Sequence, residues 1–248
     1  MTANIMIAKQ DGIVVLSDGM AYDKQGIARQ FHTKQLVLPS ISTVITCSSS
    51  GGALTVLQYL ISNEAPLSFD ELHDRMPDWA REVQDAMRQA HGDHTYAMFL
   101  YGGWSDREGG WVIYQVCDYE VDRGDAVDPP FATRAFGCFA KPNASPEALV
   151  AAGLSADLAA DFGRMDAGDF ALRLMLALRR TEQREISGSG SIPGYVAGGF
   201  IEMTVLGRDC AESFIAHRWP DEIGRPADPS RDSEIVWNPL FKALDVLQ

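Results

Sequence analysis

The sequence predicts an α+β domain in which two β-sheets are sandwiched between helices. Two observations carry this. Strand-like and helical stretches follow the order strands, two helices, strands, two helices, strands. No Gly/Ser linker, internal repeat or low-complexity tract divides the 248 residues, a length that sheet-rich folds reach as one domain.

Each element has a local reason. Apolar-rich runs from Ile5 to Gln10 and from Ile13 to Ser17 flank Asp11-Gly12, a hairpin signal because a type I′ turn needs φ > 0 at both central residues. Thr33-Lys34 leads into the apolar run ending at Pro39, and Thr43 to Cys47 reads as the next strand. Ser48-Ser-Ser-Gly-Gly52 opens a helix over 53–61, with Leu54, Leu57 and Leu60 on its apolar side. Ser68-Phe-Asp-Glu71 is a capping box starting a second helix that runs to about Ala90, with Pro77 as a break or kink. Strands are expected over 94–104, 110–118 and 133–139. Helices follow over 146–162 and 168–183, where Phe170, Leu174 and Leu178 recur every fourth residue, and a strand pair over 200–206 and 213–217 comes last. From Trp219 the chain reads as an extension, 219–248. Pro220, Pro226 and Pro229 make an extended arm, and Trp237, Leu240, Phe241 and Leu244 form a helical apolar stripe expected to dock on its own domain or a neighbouring subunit.

Composition excludes several classes. At 46% hydrophobic residues the chain can fill an ordinary core, and its formal charge of −13 argues against nucleic acid, whose phosphates are bound by Lys and Arg. There is no signal-peptide pattern and no apolar run near the roughly 20 residues that span a bilayer, so a soluble, cytoplasmic protein without a membrane partner is expected. Cys47, Cys117, Cys138 and Cys210 are scattered without CxxC pairing and read as reduced thiols. His91, Asp93 and His94 read as a helix-ending loop rather than a metal site, and Ser187-Gly-Ser-Gly-Ser191 as a turn rather than a phosphate loop. No metal or organic cofactor is expected.

Thr2, Asp18 and Lys34 carry the chemistry. Removal of Met1 would place a hydroxyl nucleophile and a free α-amine on one residue, and an amine with an ordinary pKa of about 7.7 to 8.0 can serve as base for its own side chain. Thr is stiff at χ1, which holds the hydroxyl in an attacking pose. Asp18 shares a strand face with Val14 and Leu16, and Lys34 shares one with Leu36 and Leu38, so both charges lean toward apolar surroundings. Charges rarely bury alone, so each argues for the other as partner. A buried lysine nearby would push the amine toward its neutral, proton-accepting form.

The stretch from Thr2 to Asp18, followed by Thr33-Lys34 and an apolar strand, resembles the N-terminal portion of proteasome β subunits and their bacterial ATP-dependent peptidase relatives. Counted from Thr2, the Asp and the Lys fall at the family's offsets. The likeness continues weakly to about Arg208 through Ala135-Phe-Gly-Cys138 and Val196-Ala-Gly-Gly199. It implies a four-layer αββα sandwich of the N-terminal nucleophile hydrolase type over residues 1–218. It also implies a threonine peptidase acting on peptides or unfolded proteins in a homo-oligomeric ring, with an unfoldase as possible partner. Thr2 would attack, Lys34 would tune the amine, Asp18 would hold Lys34, and the backbone N–H of Ser48 would receive the oxyanion where the family has Gly. Cys138 falls where a supporting hydroxyl would bond the amine, while Gly194 and Ala197 replace an Asp and a Ser. These departures keep two alternatives open: a catalytically degenerate assembly subunit, and an amide hydrolase of small molecules.

Overall fold

The computed structural model describes residues 2–49, 52–92, 95–122, 127–155, 157–183 and 193–233. Strands β1 (Asn4–Lys9) and β2 (Gly12–Asp18) form the opening hairpin, with Lys9 opposite Gly12. That register puts Gln10 and Asp11 at the turn, one residue earlier than the Asp11-Gly12 reading. Gly12 has another reason to be glycine. A Cβ there would lie 2.3 Å from the Leu206 carbonyl oxygen, so it permits close approach of a neighbouring strand.

Two five-stranded sheets organise the chain, and their paired neighbours are antiparallel. The first has the order β12 (Cys138–Lys141), β1, β2, β13 (Phe200–Leu206), β14 (Ala211–Arg218). The second runs β11 (Arg134–Phe136), β8 (Gly110–Cys117), β7 (Ala97–Ser105), β6 (Thr43–Ser49), β5 (Gln35–Leu38). Two ribbons, β3 (Met20–Tyr22) with β4 (Ala28–Phe31) and β9 (Val121–Asp122) with β10 (Val127–Asp128), were not foreseen.

Five α-helices are described: α1 (Ala53–Glu64), α2 (Phe69–His91), α3 (Pro146–Ala151), α4 (Leu158–Arg164) and α5 (Ala167–Arg180). Ser68 caps α2 by accepting from the Glu71 amide, and the Glu71 carboxylate accepts from the Leu67 amide. Pro77 lies inside α2 without ending it, because a stripe including Phe69, Leu72, Met76, Trp79 and Val83 stays buried along the helix.

The expected four-layer αββα sandwich is corrected by these elements: the chain is a mixed, sheet-rich fold, mostly antiparallel strand with few helices. The single helix expected over 146–162 is two short pieces, six residues in α3 and seven in α4. Gly153, at φ +76, lies just beyond α3 in a left-handed conformation that ends it.

Apolar side chains gather in three main clusters. One joins β1, β2 and β13 to α3 and α5, through residues such as Leu16, Ile201 and Leu174. Another joins β6 and β7 to α1 and α2, through Ile45, Phe99 and Trp79. A third, with Met6, Val15, Val44 and Leu100, draws on strands of both sheets. Among the described residues no helix is long and apolar enough to cross a membrane. Asp93, His94, Ser187-Gly-Ser-Gly-Ser191 and the stripe of Trp237, Leu240, Phe241 and Leu244 lie outside the described residues.

Candidate functional site

Strand β2 ends at Asp18, whose side chain is fully buried. Its Oδ1 accepts from the Ala3 amide and from Lys34 Nζ, both at 2.9 Å. Its Oδ2 accepts from the amides of Met20 at 3.1 Å and Gly198 at 3.3 Å. Four donors on one carboxylate offset the cost of taking it out of water. Lys34 stands one residue before β5, 7% exposed in its side chain, and also donates to the Met20 carbonyl at 2.6 Å. The face assignment is refined here. Leu36 and Leu38 pack toward α1 and α2, Val37 toward the other sheet, and Lys34, one residue before the strand, bonds to Asp18 at the end of β2.

Thr2 lies just before β1 and is 6% exposed. With Lys34, Tyr22 and Cys47 it lines a cavity of about 360 Å3. Its backbone nitrogen donates to Ser48 Oγ at 3.2 Å. Ser48 is fully buried in β6, opposite Met98, and its hydroxyl also meets the Tyr96 hydroxyl at 3.4 Å. Burial raises the Tyr22 phenol well above its ordinary pKa, helped by the charge of Asp18.

A second polar group lies beside this one. Glu202 accepts from the Lys34 amide at 3.1 Å and from the Ser17 hydroxyl at 3.4 Å. Gln35 Nε2 donates to Ser17 Oγ and to the Glu202 carbonyl, both at 3.0 Å. Burial pushes the Glu202 carboxyl above the usual range, although the Lys34 amide and Ser17 pull the other way.

Cys138 is not brought to Thr2. It pairs with Ile7 in the β1–β12 ladder, five residues along the chain from Thr2, or about 16 Å of extended strand. Burial pushes its thiol up to about 11, so it is no thiolate near neutral pH. Its place was misjudged because the Ala135-Phe-Gly-Cys138 match fixes sequence but not ladder register. The Val196-Ala-Gly-Gly199 match does reach the site: Gly198 donates to Asp18, and a Cβ at Gly198 would meet Met20 Sδ at 2.7 Å. Sequence reasoning missed the hydroxyl of Ser48, Tyr96 and Glu202. No local pattern announces them, since each reaches the site from a strand or loop distant in sequence. Among the described residues no three His, Cys, Asp or Glu side chains gather as metal ligands.

No family model matches the sequence, and no curated protein matches it. Solved structures do. The chain is similar to Anbu (ancestral beta-subunit) from Yersinia bercovieri, with a TM-score of 0.58 and 10% identity over 88% of this chain and 87% of that one. It is similar also to a mutant of Anbu from Hyphomicrobium sp. strain MC1, with a TM-score of 0.54 and 16% identity over 90% and 89% of the two chains. At these identities the likeness is one of fold, and it supports the proteasome-like resemblance at that level.

Proposed function

We propose that the chain is a threonine-type N-terminal nucleophile hydrolase cleaving peptide amides once Met1 is removed. One observation carries this reading: Lys34, paired at 2.9 Å with the buried Asp18, lines the same cavity as Thr2. Thr2 Oγ1 attacks the amide carbon and its proton passes to the Thr2 amine. The Lys34 ammonium disfavours a second positive charge nearby and keeps that amine receptive. Backbone N–H groups near Ser48 serve the oxyanion. As the tetrahedral intermediate collapses, the C–N bond breaks, the leaving amine takes the proton, and water then hydrolyses the Thr2 ester. The same reading carries a homo-oligomeric ring, open to sedimentation analysis, and an unfoldase that would feed it.

The test is covalent capture. Protein with Thr2 at its N-terminus, incubated with a peptide β-lactone, should gain one inhibitor mass on Thr2. Thr2→Ala should abolish the label and Lys34→Ala should nearly do so. The reading falls if such wild-type protein takes no label while a proteasome control does. A non-catalytic assembly role is the second reading. It is favoured by the missing side-chain oxygens at Gly194 and Ala197 and by the distance of Cys138 from Thr2.

A further inference from the structure

We infer that the Ser48 hydroxyl, backed by Tyr96, is the positioning group that orients the Thr2 amine. The inference rests on the hydrolase reading above and gives the amine a partner from the second sheet. A nitrogen that must take a proton from its own side chain needs its lone pair aimed at Thr2 Oγ1, so its N–H bonds must be held elsewhere. With Met1 in place, the Thr2 amide N–H donates to Ser48 Oγ at 3.2 Å, and the amine freed by its removal starts from that contact. Ser48 is fully buried and cannot turn its hydroxyl to bulk water. While Oγ accepts from nitrogen, its own hydrogen needs another acceptor, and the Tyr96 oxygen stands at 3.4 Å.

The two positions at which the family likeness would put such a contact do not supply it. Cys138 sits in the ladder opposite Ile7, and Ala197 presents a methyl group. Tyr96 suits a neutral partner, since burial raises its phenol above the ordinary value despite the bond to Ser48. The other titratable groups around the amine are Lys34, Asp18 and Tyr22, with His32 and Cys47 on the cavity wall. None of them changes in the variants below.

The experiment uses full-length protein beginning at Thr2, labelled with 13C-threonine, as wild type, Ser48→Ala, Ser48→Thr and Tyr96→Phe. Two quantities are read: the midpoint of the Thr2 13Cβ shift against pH, and the plateau rate of β-lactone labelling. Because a hydrogen bond to the ammonium favours the charged form, Ser48→Ala should lower the midpoint by about half a unit. Loss of the oriented lone pair should slow labelling about tenfold, even though less of the amine is protonated. Ser48→Thr, which keeps the hydroxyl and suits a strand, should restore both, and Tyr96→Phe should slow labelling about threefold. A merely structural serine would lower the melting temperature without moving the midpoint. Wild type that labels, with a Ser48→Ala variant unchanged in midpoint and rate, overturns this inference and leaves the hydrolase reading standing. Wild type that takes no label, with a midpoint that still moves in Ser48→Ala, upholds the contact and removes the hydrolase reading.

Discussion

Arg179 in α5 is fully buried, and each of its five N–H bonds has a partner. Nε and Nη2 donate to Asp232 at 3.0 and 2.7 Å, Nη2 and Nη1 to Asp221 at 2.9 and 3.0 Å, and Nη1 to the Ala197 carbonyl at 2.9 Å. Burial alone would lower its pKa, but the bonds and charges of the two carboxylates raise it. Arg179→Met removes one cation and strands two carboxylates whose side chains are 3% and 12% exposed. Breaking a buried pair in this way costs roughly 3–5 kcal/mol. For a domain of this size each kcal/mol is worth about 2–4 °C, so the melting temperature should fall by about 10 °C in calorimetry. Adding Asp221→Asn and Asp232→Asn should recover most of the loss, because the stranded charge causes it. The consequence reaches the site: Asp221 also accepts from the Gly199 amide at 2.8 Å, next to the Gly198 amide that holds Asp18. A melting temperature within about 2 °C of wild type for Arg179→Met would refute this account of the clamp.

One imidazole, His73, and one carboxyl, Glu202, make stability depend on pH in opposite senses. Burial depresses the His73 pKa in the fold, so above about pH 7 it is neutral folded or unfolded and contributes nothing. As pH falls through about 6.5 the unfolded chain binds the proton first and stability drops; His73→Gln, which keeps a partner for the Tyr101 hydroxyl, should show a smaller fall in urea midpoint between pH 7.5 and 5. An equal fall would exclude His73 as the source. Glu202 is raised by burial, so its penalty appears as pH rises above the unfolded value of about 4.3. Glu202→Gln should therefore gain stability relative to wild type at neutral pH, an advantage that closes at pH 4; a constant difference across that range would count against it. Under native conditions iodoacetamide should modify exposed Cys210 first and spare buried Cys47 and Cys117, with Cys138 slow because its thiol sits at about 11. Peptide mass mapping that finds Cys138 modified first would contradict that environment.

Much of the strand content was legible because period and punctuation agree there. β13 spans the residues expected, and the apolar stripe of α2 overrides the proline that threatened it. Where the sequence misled, a tertiary cause wins. Asp11-Gly12 looks like a turn pair, yet Gly12 is a strand residue placed against the Leu206 carbonyl. Ribbon β3–β4 was hidden because Met20 to Phe31 has no alternation of its own; Met20 and Ala28 instead bury against Ala227 of the C-terminal arm. The pairing of Asp18 with Lys34 was legible because two inward charges need one another. The hydroxyls of Ser48 and Tyr96 were not, since a serine inside a strand looks like any small residue until the opposite sheet is known.

The polar residues between the sheets show why the site lies at this end. Along β2 the side chains turned to the other sheet are Ile13, Val15 and then Ser17, and along β6 they are Val44, Thr46 and then Ser48. Both strands pass from apolar to hydroxyl-bearing residues in the same direction. The crossing contacts follow suit, with Thr46 Oγ1 donating to Asn4 Oδ1 at 2.9 Å and Thr2 N to Ser48 Oγ at 3.2 Å. A hydroxyl buried in an apolar interface costs free energy unless it is bonded, so such a run is stable only if the partners on the two sheets are in register. The Met6, Val15, Val44 and Leu100 packing fixes that register from the dry end. Rigid apolar packing at one end thus holds hydrogen-bonding groups to narrow tolerances at the other. Positioning of that kind is what a nucleophile on a chain terminus, otherwise prone to fray, requires.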